Sequence, residues 1–456
     1  MTVRFRLLTF GLLGIIVVGA AAALSGLPSG LPGPTGAALA SSQPGASGGG
    51  IALEPTPVPT PTPRPSLGGT ELYGYLPYWQ MNATVATYLR SAPLTTLALF
   101  SVTARTTGAI DTRPLGYRRI NGSIGQRLIA EAHARGTRVE LVFAVFGGDK
   151  NAQFFGGIVP AATPGPAAPT LPPPSGTAAP PGSSVGPPAP LPSGATEPVA
   201  PWHRTVGELI ALATRLGVDG INVDIEQLQD QNRPAYGEFL AALRTALVAA
   251  NPNAHLTVAT EAGARGVANA ATAFAAGVDR LFLMGYDYHW GGSQPGASAP
   301  IDRLDGTATL RWSIDQYVEA GVPRDRILLG LPLYGMQWRT TGPLRTYPVI
   351  GSGITWIPSQ HRDLLLDPAF QPDRDLYEHA EYFDVSDGRD WLITYYDSPA
   401  TLRPKLGLAR DNGLAGAGFW AMGYERGLPG YLELMTAFRA GAISRDEAPP
   451  RPSAQP

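Results

Sequence analysis

Residues 219–226 read Asp-Gly-Ile-Asn-Val-Asp-Ile-Glu, and this stretch decides the fold. Successive side chains of an extended strand point to opposite faces, so Asn222, Asp224 and Glu226 share one face and aliphatic side chains fill the other. The two carboxyl groups then lie about 6.6 Å apart along the strand, because each residue adds about 3.3 Å. Acids on a buried strand are costly unless they face a cavity. The pattern therefore predicts a strand that ends in a functional site.

The composition excludes several kinds of site. The chain has 456 residues, which is enough for one large domain and appendages. Its net charge is −2 and no stretch is strongly basic, so we expect no nucleic-acid partner. The absence of cysteine excludes disulfides, thiolate metal sites and cysteine nucleophiles. The histidines show no metal-ligand spacing. We therefore expect neither a metal nor a cofactor.

Residues 1–26 have the pattern of an export signal. Arg4 and Arg6 precede an apolar run that ends near Leu24, with small residues close to its end. A basic segment, an apolar segment and small residues at the exit are typical of a secretory signal peptide. The run is also long enough to cross a bilayer, so an uncleaved membrane anchor remains an alternative. Both interpretations predict a protein that is secreted or anchored in the cell envelope.

Three segments have compositions that cannot bury a core. Residues 27–69 are rich in Pro, Gly and Ser, which is typical of an extended spacer. Residues 157–201 consist mostly of Pro, Ala, Gly, Ser and Thr, and they interrupt folded sequence. We interpret them as a disordered insertion after the third strand, on the catalytic face. Residues 443–456 are predicted to be a loose tail.

Between these segments, strand and helix patterns alternate over residues 70–442, the predicted catalytic domain. Strand-like runs occur at residues 72–79, 95–103, 138–146, 220–226, 255–260, 280–286, 327–333 and 416–421. Helical patterns occur at residues 83–90, 125–135, 205–216, 235–250, 267–276, 308–320, 399–412 and 431–440. Eight such units predict an α/β fold, a closed (β/α)8 TIM barrel with its active site at the C-terminal ends of the strands. An open doubly wound sheet is the competitor, but no glycine-rich phosphate motif follows the first strand. Residues 340–390 predict a small α+β insertion between strands seven and eight.

Four segments in order resemble a known family. Residues 219–226 are similar to the DGxDxDxE strand of glycoside hydrolase family 18, the chitinase-like barrels. Met-Gly-Tyr-Asp at 284–287, Gly-Leu-Pro-Leu-Tyr-Gly at 330–335 and Gly-Phe-Trp-Ala-Met-Gly-Tyr at 418–424 resemble its strand-six, strand-seven and strand-eight motifs. Within the family, residues 288–292 and 295–300 look most like the bacterial cell-wall and spore-cortex N-acetylglucosaminidases.

The resemblance implies a mechanism and roles for three residues. It implies retaining cleavage of β-1,4 bonds in which the acetamido oxygen of the substrate attacks the anomeric carbon, so only one protein acid is needed. Glu226 is then the candidate proton donor, and Asp224 the residue that orients the acetamido N–H. Tyr286 is expected to donate its hydroxyl to the acetamido carbonyl.

Further residues are expected to bind the sugar or to support the motif. Asp287 would contact sugar hydroxyls and Trp420 would stack under a ring, as the resemblance implies. The other predicted substrate-contacting residues are Asn222, Tyr75, Phe100, Trp290 and Tyr334. Asp219 and Gly220 are predicted to be structural members of the motif. Glu261 ends the fifth strand, where its side chain could reach the cleft, but a salt bridge is the simpler of the two interpretations.

One departure from the family motif concerns residue 222. The family places an acid there, whereas this chain has Asn222, so Asp224 cannot share a proton with a carboxylate on that side. The loss of a negative neighbour should lower the pKa of Asp224.

The sequence therefore predicts an exported, monomeric glycoside hydrolase. Its substrate would be a polymer that contains N-acetylglucosamine (GlcNAc), with peptidoglycan ahead of chitin. The alternative is a catalytically silent, lectin-like barrel, but such relatives typically lose the acid at the position of Glu226. Any contact with a membrane would run only through the N-terminal segment.

Overall fold

The computed structural model describes residues 70–157, 199–303, 306 and 308–443. Their central feature is a closed barrel in which all neighbouring strands are parallel, in the order β1-β13-β7-β6-β5-β4-β3-β2. The barrel strands are β1 (Glu71–Pro77), β2 (Thr96–Val102), β3 (Arg138–Phe146), β4 (Gly220–Glu226), β5 (His255–Glu261), β6 (Arg280–Met284), β7 (Ile327–Pro332) and β13 (Gly416–Trp420). The predicted TIM barrel is confirmed.

Helices connect the strands on the outside of the barrel. They are α1 (Ala83–Leu89), α2 (Leu115–Asn121), α3 (Ser123–His133), α4 (Gly148–Gly156), α5 (Pro201–Leu216), α6 (Arg233–Ala250), α7 (Ala264–Ala275), α8 (Leu310–Glu319), α10 (Pro399–Asp411) and α11 (Tyr431–Arg439), with a short α9 (Arg362–Leu365) in the insertion. The sequence missed α2 and α4, which have only seven and nine residues. No helix in the described ranges combines the length and the apolarity needed to span a bilayer.

Alternate residues of the barrel strands face two different apolar clusters. On β4, Ile221, Val223 and Ile225 are at most 2% exposed and belong to the cluster between the sheet and the helices. The opposite face points into the barrel, where Phe282 is a fully buried member of a second cluster. A Cβ added at Gly330 or Gly418 would lie 2.4 or 2.5 Å from the ring of Phe282. Glycine on these two strands therefore makes room for the aromatic ring that fills the barrel.

The insertion between β7 and β13 is a second sheet. Its strands are β8 (Gly335–Thr340), β9 (Ile354–Trp356), β10 (Asp373–Asp375), β11 (Ala380–Ser386) and β12 (Trp391–Tyr396), in the antiparallel order β10-β11-β12-β8-β9. The predicted insertion is confirmed in position, but its predicted bounds, 340–390, were too narrow. Pairing of β8 with β12 starts at Met336 opposite Tyr395, so the sheet takes in both ends of the connection.

Two other predicted boundaries also move. The insertion after the third strand, predicted at 157–201, is preceded by α4, and Pro201 already begins α5. Ile443, assigned to the tail, is fully buried in the core. The predicted signal or anchor, the spacer, residues 158–198 and the tail from 444 lie outside the described residues. Those interpretations remain predictions.

Candidate active site at the end of strand β4

The start of β4 is held by the two residues predicted to be structural. The Asp219 carboxylate accepts the backbone N–H of Val139 at 2.8 Å and lies 2.8 Å from Nε2 of His133. A Cβ at Gly220 would lie 2.4 Å from the carbonyl oxygen of His255 on the neighbouring strand. Asp219 therefore joins β4 to β3, and Gly220 permits the close approach of β5. Neither residue reaches the functional end of the strand.

Asn222 lies buried inside the barrel, earlier on β4 than the two acids. Its side chain is fully buried, and its amide donates to the hydroxyls of Tyr73 at 3.0 Å and Tyr75 at 2.8 Å. Tyr75 is only 1% exposed. The sequence predicted direct substrate contacts for Asn222 and Tyr75; the structure shows both buried and bonded to each other, and the contacts stay a prediction. Parity along a strand shows which face a residue lies on, but it does not show how deep the residue lies in the barrel.

A buried glutamate that the sequence did not single out continues this network. Glu140 on β3 accepts a hydrogen bond from the Tyr73 hydroxyl at 2.6 Å and from Thr257 at 3.1 Å. Burial raises the pKa of Glu140 to about 7. The chain of hydrogen bonds from Glu140 through Tyr73 to Asn222 fixes the layer below the two acids.

Asp224 and Glu226 occupy the C-terminal half of β4 without a cation beside them. Asp224 is 4% exposed, and its Oδ1 has no hydrogen-bond partner among the described residues. Burial, followed by the charge of Glu261, raises the pKa of Asp224 to about 8. Glu226 is partly exposed. Burial, followed by the charges of Asp224, Glu261 and Asp287, raises the pKa of Glu226 well above its usual range. The raised pKa favours the protonated form of Glu226, which is the form that a general acid needs.

The expectation that Asn222 lowers the pKa of Asp224, relative to a chain with an acid at position 222, stays a prediction. In this chain burial, followed by the charge of Glu261 on β5, raises the pKa of Asp224 above its ordinary value. The predicted salt bridge of Glu261 is absent, since Glu261 forms no ion pair among the described residues.

The backbone beside Glu226 is fixed on both sides by residues whose role the sequence did not predict. Gln227 adopts a left-handed conformation, with φ of 60°, and its N–H donates to Oε1 of Glu261 at 2.9 Å. The carbonyl of Glu226 accepts a hydrogen bond from the amide of Asn151 at 2.6 Å. Asn151 lies on α4 and is fully buried. The one sequence signal for Glu261 was its inward parity with Thr257 on β5.

The residues after β6 bring a tyrosine and a third acid to the same end of the barrel. Asp287 has φ of 61°, its N–H donates to Oγ of Ser298 at 3.0 Å, and its carboxylate accepts from the Tyr334 hydroxyl. Burial raises the pKa of Asp287. The rings of Tyr286 and Tyr334 lie 6.1 Å apart, and Tyr286 is partly exposed. Tyr334 is buried at 6% exposure, so it positions Asp287 from behind.

Aromatic rings follow or end other strands at the same end of the barrel. The Trp420 ring is partly exposed and packs edge to face on Phe100, with centroids 4.8 Å apart. Phe100 is 7% exposed and supports Trp420 more than it lines the site. Trp290, after β6, is partly exposed, and its carbonyl accepts from the indole N–H of Trp338 in the insertion sheet at 3.2 Å. Flat apolar faces beside protonated carboxyl groups suit a sugar ring.

The arrangement can supply a proton donor, further carboxyl groups to orient a substrate and an aromatic surface. In the part of the chain that the structure describes, no three His, Asp or Glu side chains are arranged to hold a metal ion.

The comparisons with known proteins agree with this geometry. Residues 203–425 match the sequence model described as "Glycosyl hydrolases family 18". The putative sporulation-specific glycosylase YdhD of Bacillus subtilis (strain 168) is 33% identical over 140 residues, covering 29% of this chain and 31% of that protein. The cortical fragment-lytic enzyme of the same organism is 26% identical over 230 residues, covering 48% of this chain and 50% of that protein. The chain thus spans half or less of the length of these curated relatives.

A solved structure supports the same fold. The GH18 chitinase of Cycas revoluta in complex with (GlcNAc)3 superimposes with a TM-score of 0.59 at 17% identity, over 82% of this chain and all of that one. The matched residues 203–425 contain Asp224, Glu226, Tyr286, Asp287 and Trp420. The family match therefore assigns residues 203–425, which hold the acids on β4, to glycosyl hydrolases family 18.

Proposed function

We propose that this protein is an exported glycosidase that hydrolyses β-1,4 bonds in polymers containing GlcNAc, with peptidoglycan as the preferred polymer. The observation that carries the proposal is Glu226, a partly exposed acid at the barrel mouth whose pKa is raised by burial and by three neighbouring carboxyl groups. A carboxyl group with a raised pKa holds its proton to higher pH, which suits it to protonate a leaving oxygen.

The proposed reaction proceeds in two steps. Glu226 donates its proton to the glycosidic oxygen as the bond from that oxygen to the anomeric carbon breaks. The acetamido carbonyl oxygen of the same sugar forms a bond to the anomeric carbon, giving an oxazolinium ion. Water then attacks the anomeric carbon and returns a proton to Glu226, which restores the acetamido group with overall retention.

Three residues of this chain would support those steps. Asp224 lies on the same strand face as Glu226, and its Oδ1 has no hydrogen-bond partner among the described residues, so we assign it to accept the acetamido N–H. Tyr286 is partly exposed beside Asp224 and Glu226, and its hydroxyl would hold the acetamido oxygen for attack. Trp420 would provide the apolar floor beneath the ring.

Two observations support peptidoglycan over chitin. Two of the curated relatives carry names that refer to sporulation or to lysis of cortical fragments. Residues 288–292 and 295–300 resemble the cell-wall branch of the family. Both polymers contain the β-1,4 bond and the acetamido group that the proposed chemistry needs. Export is proposed from the basic and apolar pattern of residues 1–26.

Mass spectrometry of products from purified peptidoglycan and from chitin tests the proposal. We expect soluble fragments with GlcNAc at the new reducing end, released faster from peptidoglycan, and no release by Glu226→Gln. Fragments of internal chain would indicate endo cleavage, and free monosaccharide would indicate exo cleavage. If the wild type and Glu226→Gln both bind the polymers and neither cleaves them, the protein is a lectin and the proposal is wrong.

A further inference from the structure

The last residue of β5 carries a carboxylate for which the proposed reaction has no step. Strands β4 and β5 pair with Asp224 opposite Ala259, and each strand continues for two more residues, to Glu226 and to Glu261. In parallel strands this equal advance brings the two glutamates to neighbouring positions on the inward face. The register therefore places Glu261 beside the proposed proton donor.

Glu261 is bonded to the backbone of the active site instead of to a cation. Its Oε1 accepts the N–H of Gln227, the residue immediately after Glu226, at 2.9 Å. Its Oε2 is buried and has no hydrogen-bond partner among the described residues. A buried, unpaired carboxylate oxygen is costly, so it persists where a site makes use of it.

The left-handed backbone of Gln227 explains why this bond matters. A non-glycine residue with φ of 60° is uncommon and needs local support. Glu261 supports it from one side, while Asn151 fixes the carbonyl of Glu226 from the other. Together these two bonds fix the peptide unit that carries the proton donor.

We propose that Glu261 is a positioning residue for Glu226, which anchors its backbone through Gln227 and places a second negative charge beside it. That charge takes the part of the acid that family 18 places at position 222, where this chain has an amide. The inference rests on the proposed function, because it assigns Glu261 to the same site.

The groups that face this cluster come from several elements. Asp224 and Glu226 lie on β4, Asp287 and Tyr286 follow β6, and Tyr75, Tyr236 and Tyr317 approach from β1, α6 and α8. None of these is a cation. Removal of the Glu261 charge therefore lowers the pKa of Glu226 and of Asp224.

Two substitutions separate the charge from the anchor. Glu261→Gln keeps an oxygen for the Gln227 N–H and removes the charge, whereas Glu261→Ala removes both. We expect Glu261→Gln to shift the alkaline limb of the kcat profile to lower pH by about one unit, because Glu226 then loses its proton earlier. We expect Glu261→Ala to show the same shift and a further loss of about tenfold or more in kcat at the optimum. Glu238→Gln, at an exposed position on α6, is the matched control.

A second measurement does not depend on turnover. The difference in urea midpoint between Glu261→Gln and wild type should increase from about pH 4 to about pH 8, since the variant relieves repulsion that appears only as the acids ionise. An unchanged kcat profile together with a constant urea difference would overturn the inference. If wild type cleaves neither polymer, the proposed function fails, and the urea comparison still decides the role of Glu261.

Discussion

Two sites in this fold contain buried acids, and they differ in whether a cation lies beside the acid. Asp397, between β12 and α10, accepts hydrogen bonds from Nζ of Lys405 at 2.5 Å and from the Thr401 hydroxyl at 2.8 Å. Lys405 is fully buried. At the C-terminal end of β4, Asp224 and Glu226 form no ion pair with a described cation, and burial and neighbouring carboxyl groups raise the pKa of both. The first group is a charge paired inside the protein. The second consists of carboxyl groups that would repel one another if all of them ionised.

The difference teaches which buried acids to examine for function. In a paired charge the partner offsets part of the desolvation cost, and the pair serves as a structural contact. Unpaired acids with raised pKa values are unfavourable for stability, and such sites are where catalytic groups are found. Geometry alone would not separate the two groups, because both lie deep in the fold. Their partners separate them.

The largest expected effect is the loss of activity on removing the unpaired proton donor. Glu226→Gln keeps the size of the side chain but cannot donate a proton from a carboxyl group, so we expect kcat to fall by about 10²–10⁴-fold. Steady-state kinetics on soluble glycan fragments checks this. Turnover within threefold or so of wild type would show that the unpaired acids are not the catalytic group.

The second effect concerns the paired group. Lys405→Met leaves Asp397 buried without its cation, and we expect the free energy of unfolding to fall by about 3–5 kcal/mol. Urea unfolding at neutral pH measures this loss. The double variant Asp397→Leu/Lys405→Met should recover most of it. A single variant as stable as wild type would contradict the structural role of the pair.

The third prediction is a substitution that raises the stability of the protein. Burial and Glu261 raise the pKa of Asp224 to about 8. The protonated form of Asp224 therefore stabilises the folded state. This contribution is complete below the pKa that Asp224 has in the unfolded chain, and it is lost as pH rises through about 8. Asp224→Asn should raise the thermal midpoint by about 2–4 °C near pH 8 and leave it unchanged near pH 4. A midpoint that falls at pH 8 would mean that Asp224 is paired in solution.

The smallest effect concerns the neutral neighbour of the unpaired acids. Tyr286→Phe removes one hydrogen bond to the acetamido oxygen, which is worth about 0.5–1.5 kcal/mol. We therefore expect kcat/KM to fall by about two- to tenfold. Parallel measurements of kcat/KM for wild type and Tyr286→Phe on the same substrate resolve this difference. Equal kcat/KM values would place the Tyr286 hydroxyl outside the reaction.

The sequence predicted the barrel well because its signal is local. The alternation of Ile221, Val223 and Ile225 with polar residues gave both ends of β4 correctly, and the apolar run of β3 did the same. Helix α4 was missed because its nine residues begin and end with glycine, which is more typical of a loop. Strands β9 and β10 have three residues each, so only pairing with distant strands defines them.

The sequence predicted which residues lie at the candidate site, but not how deeply each of them is buried. The motif gave Asp224, Glu226, Tyr286, Asp287 and Trp420, which the structure brings to one end of the barrel. The burial of Asn222 and Tyr75 depends on Glu140, whose partner Tyr73 is 67 residues away. No local pattern carries such a contact. The role of Asn151 was hidden for the same reason.

Helix α4 has a consequence for engineering. Its Asn151 holds the peptide of Glu226, and only Gly157 separates its last residue from residues 158–198. Strands β3 and β4 remain in register through seven paired positions, from Glu140 opposite Gly220 to Phe146 opposite Glu226. New peptide can therefore be grafted between α4 and α5 without shifting those strands. A reporter placed there would sit next to the helix that holds the acid.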